Sequence, residues 1–161
     1  MTELMGKRPQ DSMIEQVHIV QYQHLNSLDR LFGGQSMSWM DIVSGNVARR
    51  HARTRVTTAS VDHIAFFAPS FLGDMLAISG RVTYTGRTSM EIQVVVEAER
   101  SEFKRDLIQR AYFIYVAIDE EGRPVPIPPL IVETDEEKRL WEFGEKRKAL
   151  RLQRQELELG S

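Results

Sequence analysis

The alternation of apolar and polar residues between positions 76 and 98 constrains the fold of this chain more than any other feature. Apolar side chains recur at every second position in residues 76–84 and 90–98, and residues 107–118 form a third strongly apolar segment. A period of two is typical of strands with one buried face, and the short turns between these segments allow antiparallel neighbours. The pattern therefore predicts an antiparallel meander of three long strands.

Two helices and two further strands complete the predicted arrangement. Apolar, β-branched stretches predict strands over residues 13–22 and 56–67. Residues 35–52 change to a helical period, and the side chains that gather on one face are Met37, Met40, Ser44, Val47 and Ala48. Thr134 and Glu137 have the spacing of a capping box, which predicts a charged helix over residues 135–158.

These elements predict an α+β fold in which an antiparallel sheet packs against one long helix, in the limiting case curled around it. Residues 1–12 are polar and are expected to be flexible. One folded domain is expected over residues 13–132, followed by a charged C-terminal helix and tail over residues 133–161. The length of the chain agrees with one folded domain, because 161 residues are typical of a single domain.

Composition excludes several classes of protein. Lys and Arg total 21 against 23 Asp and Glu, a net charge of -2 that argues against a nucleic-acid binder. The absence of cysteine excludes disulfides, thiol nucleophiles and Cys-ligated zinc, and the four histidines lack a metal-binding spacing. No apolar run reaches the roughly 20 residues that span a bilayer, and no secretory signal is visible. We therefore expect a cytoplasmic protein with no metal site and no membrane or nucleic-acid partner.

Asp41 lies at the edge of the apolar face of the predicted helix. A carboxylate there is either partly desolvated, which is common at functional sites, or turned into solvent, and periodicity leaves both readings open. Gly33 and Gly34 precede the helix and either expose backbone N–H groups able to stabilise an oxyanion or simply form a tight turn. Together the two features outline a site for acyl transfer to water.

Several short motifs follow one another in a fixed order. They are NSLDRLFGG (26–34), MSWMD (37–41), Gly45, Ala48, TASVD (58–62), Phe66, Pro69, Gly73-Asp74, GRTS (86–89), Val116-Ala117 and Gly122-Arg123-Pro124. In this order they resemble the hotdog-fold acyl-CoA thioesterases, closest to the acyl-CoA hydrolase branch with the bacterial broad-specificity enzymes and the brain cytosolic acyl-CoA hydrolase.

The resemblance implies a hotdog fold, a sheet wrapped around one central helix, here with an additional C-terminal helix. It implies homodimers with paired sheets, often assembled as homohexamers, and hydrolysis of acyl-CoA without a cofactor. Asp41 would act as general base or nucleophile, Asn26 would come from the partner subunit, and N–H groups near Gly33 and Gly34 would bind the oxyanion. The family commonly has glycine where this chain has Asp29, which places the path of that loop in question.

Coenzyme A needs cations and close backbone approach, and similar enzymes place the turn between two strands along it. The residues expected to bind it are Gly86, Arg87, Thr88, Ser89, Arg55 and Arg147, with Arg53 and Lys146 as further phosphate candidates. A plain hairpin with solvated cations is the alternative.

For several other residues a structural role is an alternative to a functional one. Asp62 and His63 favour a sheet or inter-subunit hydrogen bond over a catalytic dyad, Trp39 favours core packing, and His24 is a candidate for the site mouth. The competing functions are a non-catalytic acyl-CoA sensor and a hotdog hydratase or dehydratase, although no histidine occupies the site region that the latter requires.

Overall fold

The computed structural model describes residues 3–160, which form five strands and two α-helices. The strands are β1 (Ile14–Ile19), β2 (Arg55–Phe66), β3 (Met75–Thr85), β4 (Ser89–Ser101) and β5 (Lys104–Ile118). The helices are α1 (Gly33–Ala52) and α2 (Asp135–Leu159), and short 3-10 turns occur at Pro9–Asp11 and Tyr22–His24. Helix α1 begins two residues earlier than predicted because the glycine pair forms its first turn.

All five strands form one antiparallel sheet in the order β1-β3-β4-β5-β2. The predicted meander is confirmed as β3, β4 and β5, while β1 and β2 are the two edges. The register places Ile14 opposite Gly80 at one edge and Arg55 opposite Ile118 at the other. Strand β2 is irregular, with register shifts between Thr58 and Ser60 and between Asp62 and Ala65. The fold is therefore α+β, as predicted.

Helix α1 lies in the concave face of the sheet and supplies the centre of the core. Its Met40, Val43 and Val47 are fully buried. Helix α1 approaches β3 closely at Gly80. A Cβ at this position would lie 3.1 Å from the Val43 side chain and 3.2 Å from the Val47 side chain. The opposite face of α1, which carries Asp41, is exposed.

Helix α2 packs on the outer face of the same sheet. The predicted capping box opens it, with Thr134 Oγ1 accepting from the Glu137 N–H at 3.1 Å. Gly144 allows close contact, because a Cβ there would lie 2.7 Å from the Cβ of Tyr84. Residues 152–160 are exposed throughout, so the helix docks over its first part and projects over its last. Neither α1 nor α2 has an apolar stretch of the length needed to cross a lipid bilayer.

The N-terminal segment contacts the rest of the domain. The Lys7 N–H donates to the Pro129 carbonyl at 2.9 Å, the Ile131 N–H donates to Lys7 at 2.8 Å, and Pro9 is buried. Flexibility of residues 1–12 and the domain boundaries stay predictions. Residues 1 and 2 of that segment, and residue 161 of the tail, lie outside the described residues.

Candidate active site

Asp41 occupies the third turn of α1 and its side chain is exposed in the single chain. Of the two environments that periodicity left open, the solvent-facing one is therefore observed. The carboxylate is still held, because the Tyr115 hydroxyl donates to its Oδ1 at 3.0 Å. An exposed but oriented carboxylate can act on a molecule that approaches this face of α1.

Tyr115 lies on β5 and points towards α1. The sequence pattern did not single it out as a site residue. Its hydroxyl is 2.8 Å from the buried Ser44 hydroxyl, and Thr58 is the residue directly opposite Tyr115 in the β2–β5 ladder. Burial raises the pKa of Tyr115 to about 12, so the phenol stays protonated at neutral pH. The one signal available from sequence was a tyrosine in a buried strand, whose hydroxyl needs a partner.

Gly33 and Gly34 form the first turn of α1. Phe32 occupies the N-cap position without a side-chain cap. Within residues 3–160, neither glycine N–H has a hydrogen-bond acceptor, as expected for the first donors of a helix. A Cβ on Gly34 would overlap the Phe32 ring. Gly34 and Asp41 are seven residues apart and share one side of the helix, about 10 Å apart along its axis.

Asn26 lies in the loop before α1. Its side-chain oxygen accepts from the N–H groups of Leu28 (2.9 Å) and Arg30 (3.2 Å), as in an Asx turn. The side-chain amide nitrogen has no hydrogen-bond partner in the described part of the chain. Asp29 has φ 55, a left-handed conformation that aspartate tolerates better than most residues. The loop therefore keeps a turn at the position where glycine was expected.

No hydrogen bond joins Asn26 to Asp41 in the described part of one chain. The loop of Asn26 is instead tied to the residues before α1. The Phe32 N–H donates to the His24 backbone carbonyl at 2.8 Å, and Leu25 forms a β-bridge with Leu31. Asn26 and the glycine N–H groups thus form one unit, whereas Asp41 lies two turns further along α1.

Two histidines pack around Trp39 beside this loop. His18 stacks on the indole at 4.5 Å between centroids, and His24 meets it edge-on at 4.9 Å. Burial, with a smaller effect from His24, lowers the pKa of His18. Trp39 is buried in the core as expected. Neither histidine is hydrogen-bonded to Asp41.

The residues predicted to bind coenzyme A do not share one cavity. Gly86, Arg87 and Thr88 connect β3 to β4, with Gly86 N–H donating to Ser89 at 2.8 Å. The Arg87 side chain is exposed. A Cβ on Gly86 would lie 2.9 Å from Nζ of Lys148, which places this loop beside α2.

Arg55 lines an open groove of about 940 Å³ between the exposed face of α1 and the ends of β1, β2 and β5. Three more arginines, at positions 49, 50 and 53, line the same groove. Arg50 donates to the Met13 carbonyl at 3.0 Å. The groove begins at Asn46, five residues after Asp41 on α1. Its four arginines outnumber the two carboxylates of the lining, Asp119 and Glu120, which makes the groove suited to an anionic ligand.

Arg147 lies on the opposite face of the sheet from that groove. It binds the buried Glu91 and its guanidinium lies 3.7 Å over the Tyr112 ring. Lys146 is exposed and lies 5.4 Å over the Phe143 ring. Two donors of Arg147 are therefore occupied within the chain, a partnership that the sequence analysis did not anticipate.

Asp62 and His63 do not form a dyad. The Asp62 carboxylate accepts from Arg151 at 2.6 Å, and Asp62 pairs with Tyr112 in the sheet. His63 has φ 48 at the second irregularity of β2. In the part of the chain that the structure describes, no cluster of three or more His, Asp or Glu side chains could hold a metal ion.

Comparison with known proteins places this geometry in a family. Residues 28–102 match the family model described as the thioesterase superfamily. An uncharacterized acyl-CoA thioester hydrolase of Zymomonas mobilis is 42% identical over 106 residues, which cover 65% of this chain and 71% of that protein. The chain belongs to the acyl-CoA thioester hydrolases of this superfamily.

A mammalian relative shares this thioester hydrolase unit within a longer chain. The cytosolic acyl coenzyme A thioester hydrolase of the rat is 44% identical over 118 residues, or 71% of this chain. The match covers 31% of the rat protein, so the chain spans about a third of that relative's length.

Solved structures of other acyl-CoA thioesterases share the hotdog fold, which is thereby confirmed. An apo-hexameric acyl-CoA thioesterase aligns with a TM-score of 0.89 at 36% identity, covering 94% of this chain and 97% of that one. An acyl-CoA hydrolase from Staphylococcus aureus, solved with butyryl coenzyme A and coenzyme A, has a TM-score of 0.85 at 32% identity, covering 94% and 95%. Its variants with an aspartate, an asparagine or a threonine replaced by alanine are also solved.

Proposed function

We propose that the chain hydrolyses acyl-CoA thioesters to free carboxylic acids and coenzyme A. The observation that carries the proposal is the Asp41 carboxylate, held by Tyr115 on the exposed face of α1. It lies in a chain 42% identical to a protein named as an acyl-CoA thioester hydrolase. An exposed, oriented carboxylate and free helix N-terminal donors are the groups that hydrolysis of a thioester requires.

Asp41 acts by one of two routes that give the same products. As a general base, it takes a proton from water while the water oxygen bonds to the thioester carbon. The C–S bond then breaks, and the leaving sulfur takes the proton from Asp41. As a nucleophile, the carboxylate oxygen bonds to that carbon and expels the thiolate, and water hydrolyses the resulting anhydride. In both routes the N–H groups of Gly33 and Gly34 stabilise the oxyanion.

The site is assembled from two subunits. No hydrogen bond joins Asn26 to Asp41 within one chain, and the loop of Asn26 is tied to Leu31 and Phe32, directly before Gly33. The subunit that supplies Asn26 therefore also supplies the oxyanion donors, while its partner supplies Asp41. The free amide nitrogen of Asn26 orients the water or the thioester. A homodimer is thus the proposed active unit, and a homohexamer the proposed assembly, as in the thioesterases described as hexameric.

The variants of the S. aureus hydrolase support these residues by their spacing. Its substituted asparagine, aspartate and threonine are separated by 15 and 17 residues, the same intervals that separate Asn26, Asp41 and Thr58. Thr58 lies directly opposite Tyr115 in the β2–β5 ladder. We therefore add Thr58 to the proposed site, as a neighbour of the tyrosine that holds Asp41.

Coenzyme A is proposed to follow the exposed face of α1 from Asp41 into the arginine groove. Arg49 and Arg53 lie about 12 and 18 Å beyond Asp41 along the helix axis, so the pantetheine arm runs between the thioester and the cations. Arg55 lines the same groove. Arg49, Arg53 and Arg55 are proposed to bind the phosphates. The predicted coenzyme A contacts of Gly86, Arg87, Thr88, Ser89 and Arg147 stay proposals, and Arg147 also stabilises the fold through Glu91. A cytosolic location, as in the name of the rat relative, is also proposed.

The test is release of free thiol from acyl-CoAs with short, medium and long chains. The wild-type protein is expected to release thiol, and Asp41→Asn to lose about 100- to 10,000-fold in kcat. Glu142→Gln, the same kind of charge removal at an exposed position of α2, is the control and should retain activity. Binding of acyl-CoA without thiol release would favour the sensor alternative, and wild-type turnover by Asp41→Asn would exclude Asp41 from the reaction.

A further inference from the structure

Tyr115 makes a directed chain of hydrogen bonds between the core and Asp41. A carboxylate only accepts hydrogen bonds, so the Tyr115 hydroxyl must donate across the 3.0 Å contact with Oδ1 of Asp41. The Asp41 carbonyl lies 3.2 Å from the same hydroxyl, but Oδ1 is the closer acceptor and carries charge. The Tyr115 oxygen can then accept from the Ser44 hydroxyl at 2.8 Å, whose one proton is shared with the Asp41 carbonyl at 3.1 Å.

The donors of this chain are rigid, whereas the acceptor is not. Ser44 is fully buried and Tyr115 is 3% exposed, so core packing fixes both hydroxyls. Asp41 is exposed, and an exposed carboxylate without a partner samples several rotamers. Within residues 3–160, Tyr115 is the only side chain hydrogen-bonded to the Asp41 carboxylate. Its hydroxyl therefore sets the rotamer.

We infer that Tyr115 is a positioning residue that binds Oδ1 of Asp41 and leaves Oδ2 as the oxygen that reacts. The inference rests on the proposed hydrolysis, because it names the oxygen that takes the proton from water or bonds to the thioester carbon. The hydroxyl also stabilises the negative charge of the carboxylate that either route needs. Tyr115 itself does not touch the substrate and exchanges no proton with it.

The chain provides a matched control for the test. Tyr112 lies three residues away on β5, faces α2 and accepts a hydrogen bond from Gln93 at 3.2 Å. Tyr115→Phe and Tyr112→Phe each remove one phenol hydroxyl from the same strand, and only the Tyr115 hydroxyl contacts Asp41. Tyr115→Phe is expected to lower kcat about 10- to 100-fold, with KM within about twofold. Tyr112→Phe should leave both unchanged.

Equal losses of kcat in the two variants, or a loss in Tyr115→Phe that appears in KM and not in kcat, would overturn the positioning role. A readout that needs no turnover separates this result from failure of the proposed function. Crystal structures of the wild type and both variants compare the rotamer of the Asp41 side chain. The carboxylate should keep one rotamer in the wild type and in Tyr112→Phe and occupy more than one in Tyr115→Phe. The same single rotamer in all three proteins would refute the inference even for a protein that releases no thiol.

Discussion

Arg147 of α2 binds Glu91 of β4 through two parallel hydrogen bonds, Nε to Oε2 and Nη2 to Oε1, both of 2.8 Å. The pair lies between the helix and the outer face of the sheet. The Glu91 side chain is only 2% exposed and also accepts from the Thr83 hydroxyl at 2.7 Å. Because Arg147 is 21% exposed, the two partners do not depend on each other equally.

This asymmetry predicts unequal costs when either partner is replaced. Arg147→Gln leaves a buried carboxylate without its cation and is expected to lower the free energy of unfolding by about 3–5 kcal/mol. Glu91→Gln leaves a cation that can still reach water, so its cost should be smaller, about 1–3 kcal/mol. Urea unfolding measures both. An equal or larger cost for Glu91→Gln would contradict this account of the pair.

A two-subunit site predicts complementation between two inactive chains. Asp41→Asn and Asn26→Ala are each expected to be inactive alone. A mixed dimer regains one intact site, with Asn26 from one chain and Asp41 from the other. Co-expression should therefore restore about a quarter of wild-type activity, because half of the dimers are mixed and each has one intact site of two. Thiol release from the whole co-expressed mixture, purified through a tag that both chains carry, measures the recovery, and activity no higher than that of either variant alone would place both residues in one chain.

The arginine groove predicts a binding defect rather than a catalytic one. Arg55→Gln removes a phosphate contact far from the thioester, so KM should rise about tenfold while kcat stays within about twofold. The difference from wild type should shrink at high salt, because the contact is exposed and screened. Arg139→Gln, which removes an exposed cation from α2, is the control. A fall in kcat at unchanged KM would argue against phosphate binding by Arg55.

His51 predicts a loss of stability in mild acid. It is fully buried, and its Nε2–H donates to the Pro128 carbonyl at 2.7 Å. Burial lowers the pKa of His51 below its ordinary 6.5. As the pH falls below 6.5, the His51 side chain therefore binds a proton in the unfolded chain while it stays neutral in the folded chain. Stability falls by up to about 1.4 kcal/mol per pH unit until the folded pKa is reached, and is unaffected by this group well above 6.5.

Urea unfolding between pH 5 and 8 compares the wild type with two variants. His51→Gln retains a donor for Pro128 but does not titrate, so its stability should fall less steeply in acid. His63→Asn replaces an exposed histidine at positive φ, a conformation that asparagine tolerates, and should keep the wild-type slope. If His51→Gln also keeps the wild-type slope, the acid loss has another origin.

The helices and strands were predictable where residues close together in the sequence determine them. Helix α1 follows from the spacing of Met40, Val47 and their neighbours, and α2 from the capping box of Thr134 and Glu137. The family resemblance supplied Asn26 and Asp41, which periodicity alone could not connect.

The polar layer beneath α2 was not predictable, because it depends on contacts between distant segments. In the alternation of β4, Glu91 occupies a position that faces solvent until α2 covers it, 56 residues later in the chain. For the same reason the sequence could not show that Arg147 pairs with a carboxylate of its own chain; its contact with coenzyme A stays a prediction. Tyr115 was missed because one hydroxyl in an apolar strand does not reveal which helical residue it meets.

The irregular edge of the sheet has a consequence for solubility. A long, flat edge strand can add further strands without limit and so template fibrils. The two register shifts in β2 break the regular row of donors and acceptors on one side, and the other edge, β1, is only six residues long. A variant of β2 without the two bulges would thus be expected to expose a regular edge strand and to aggregate more readily.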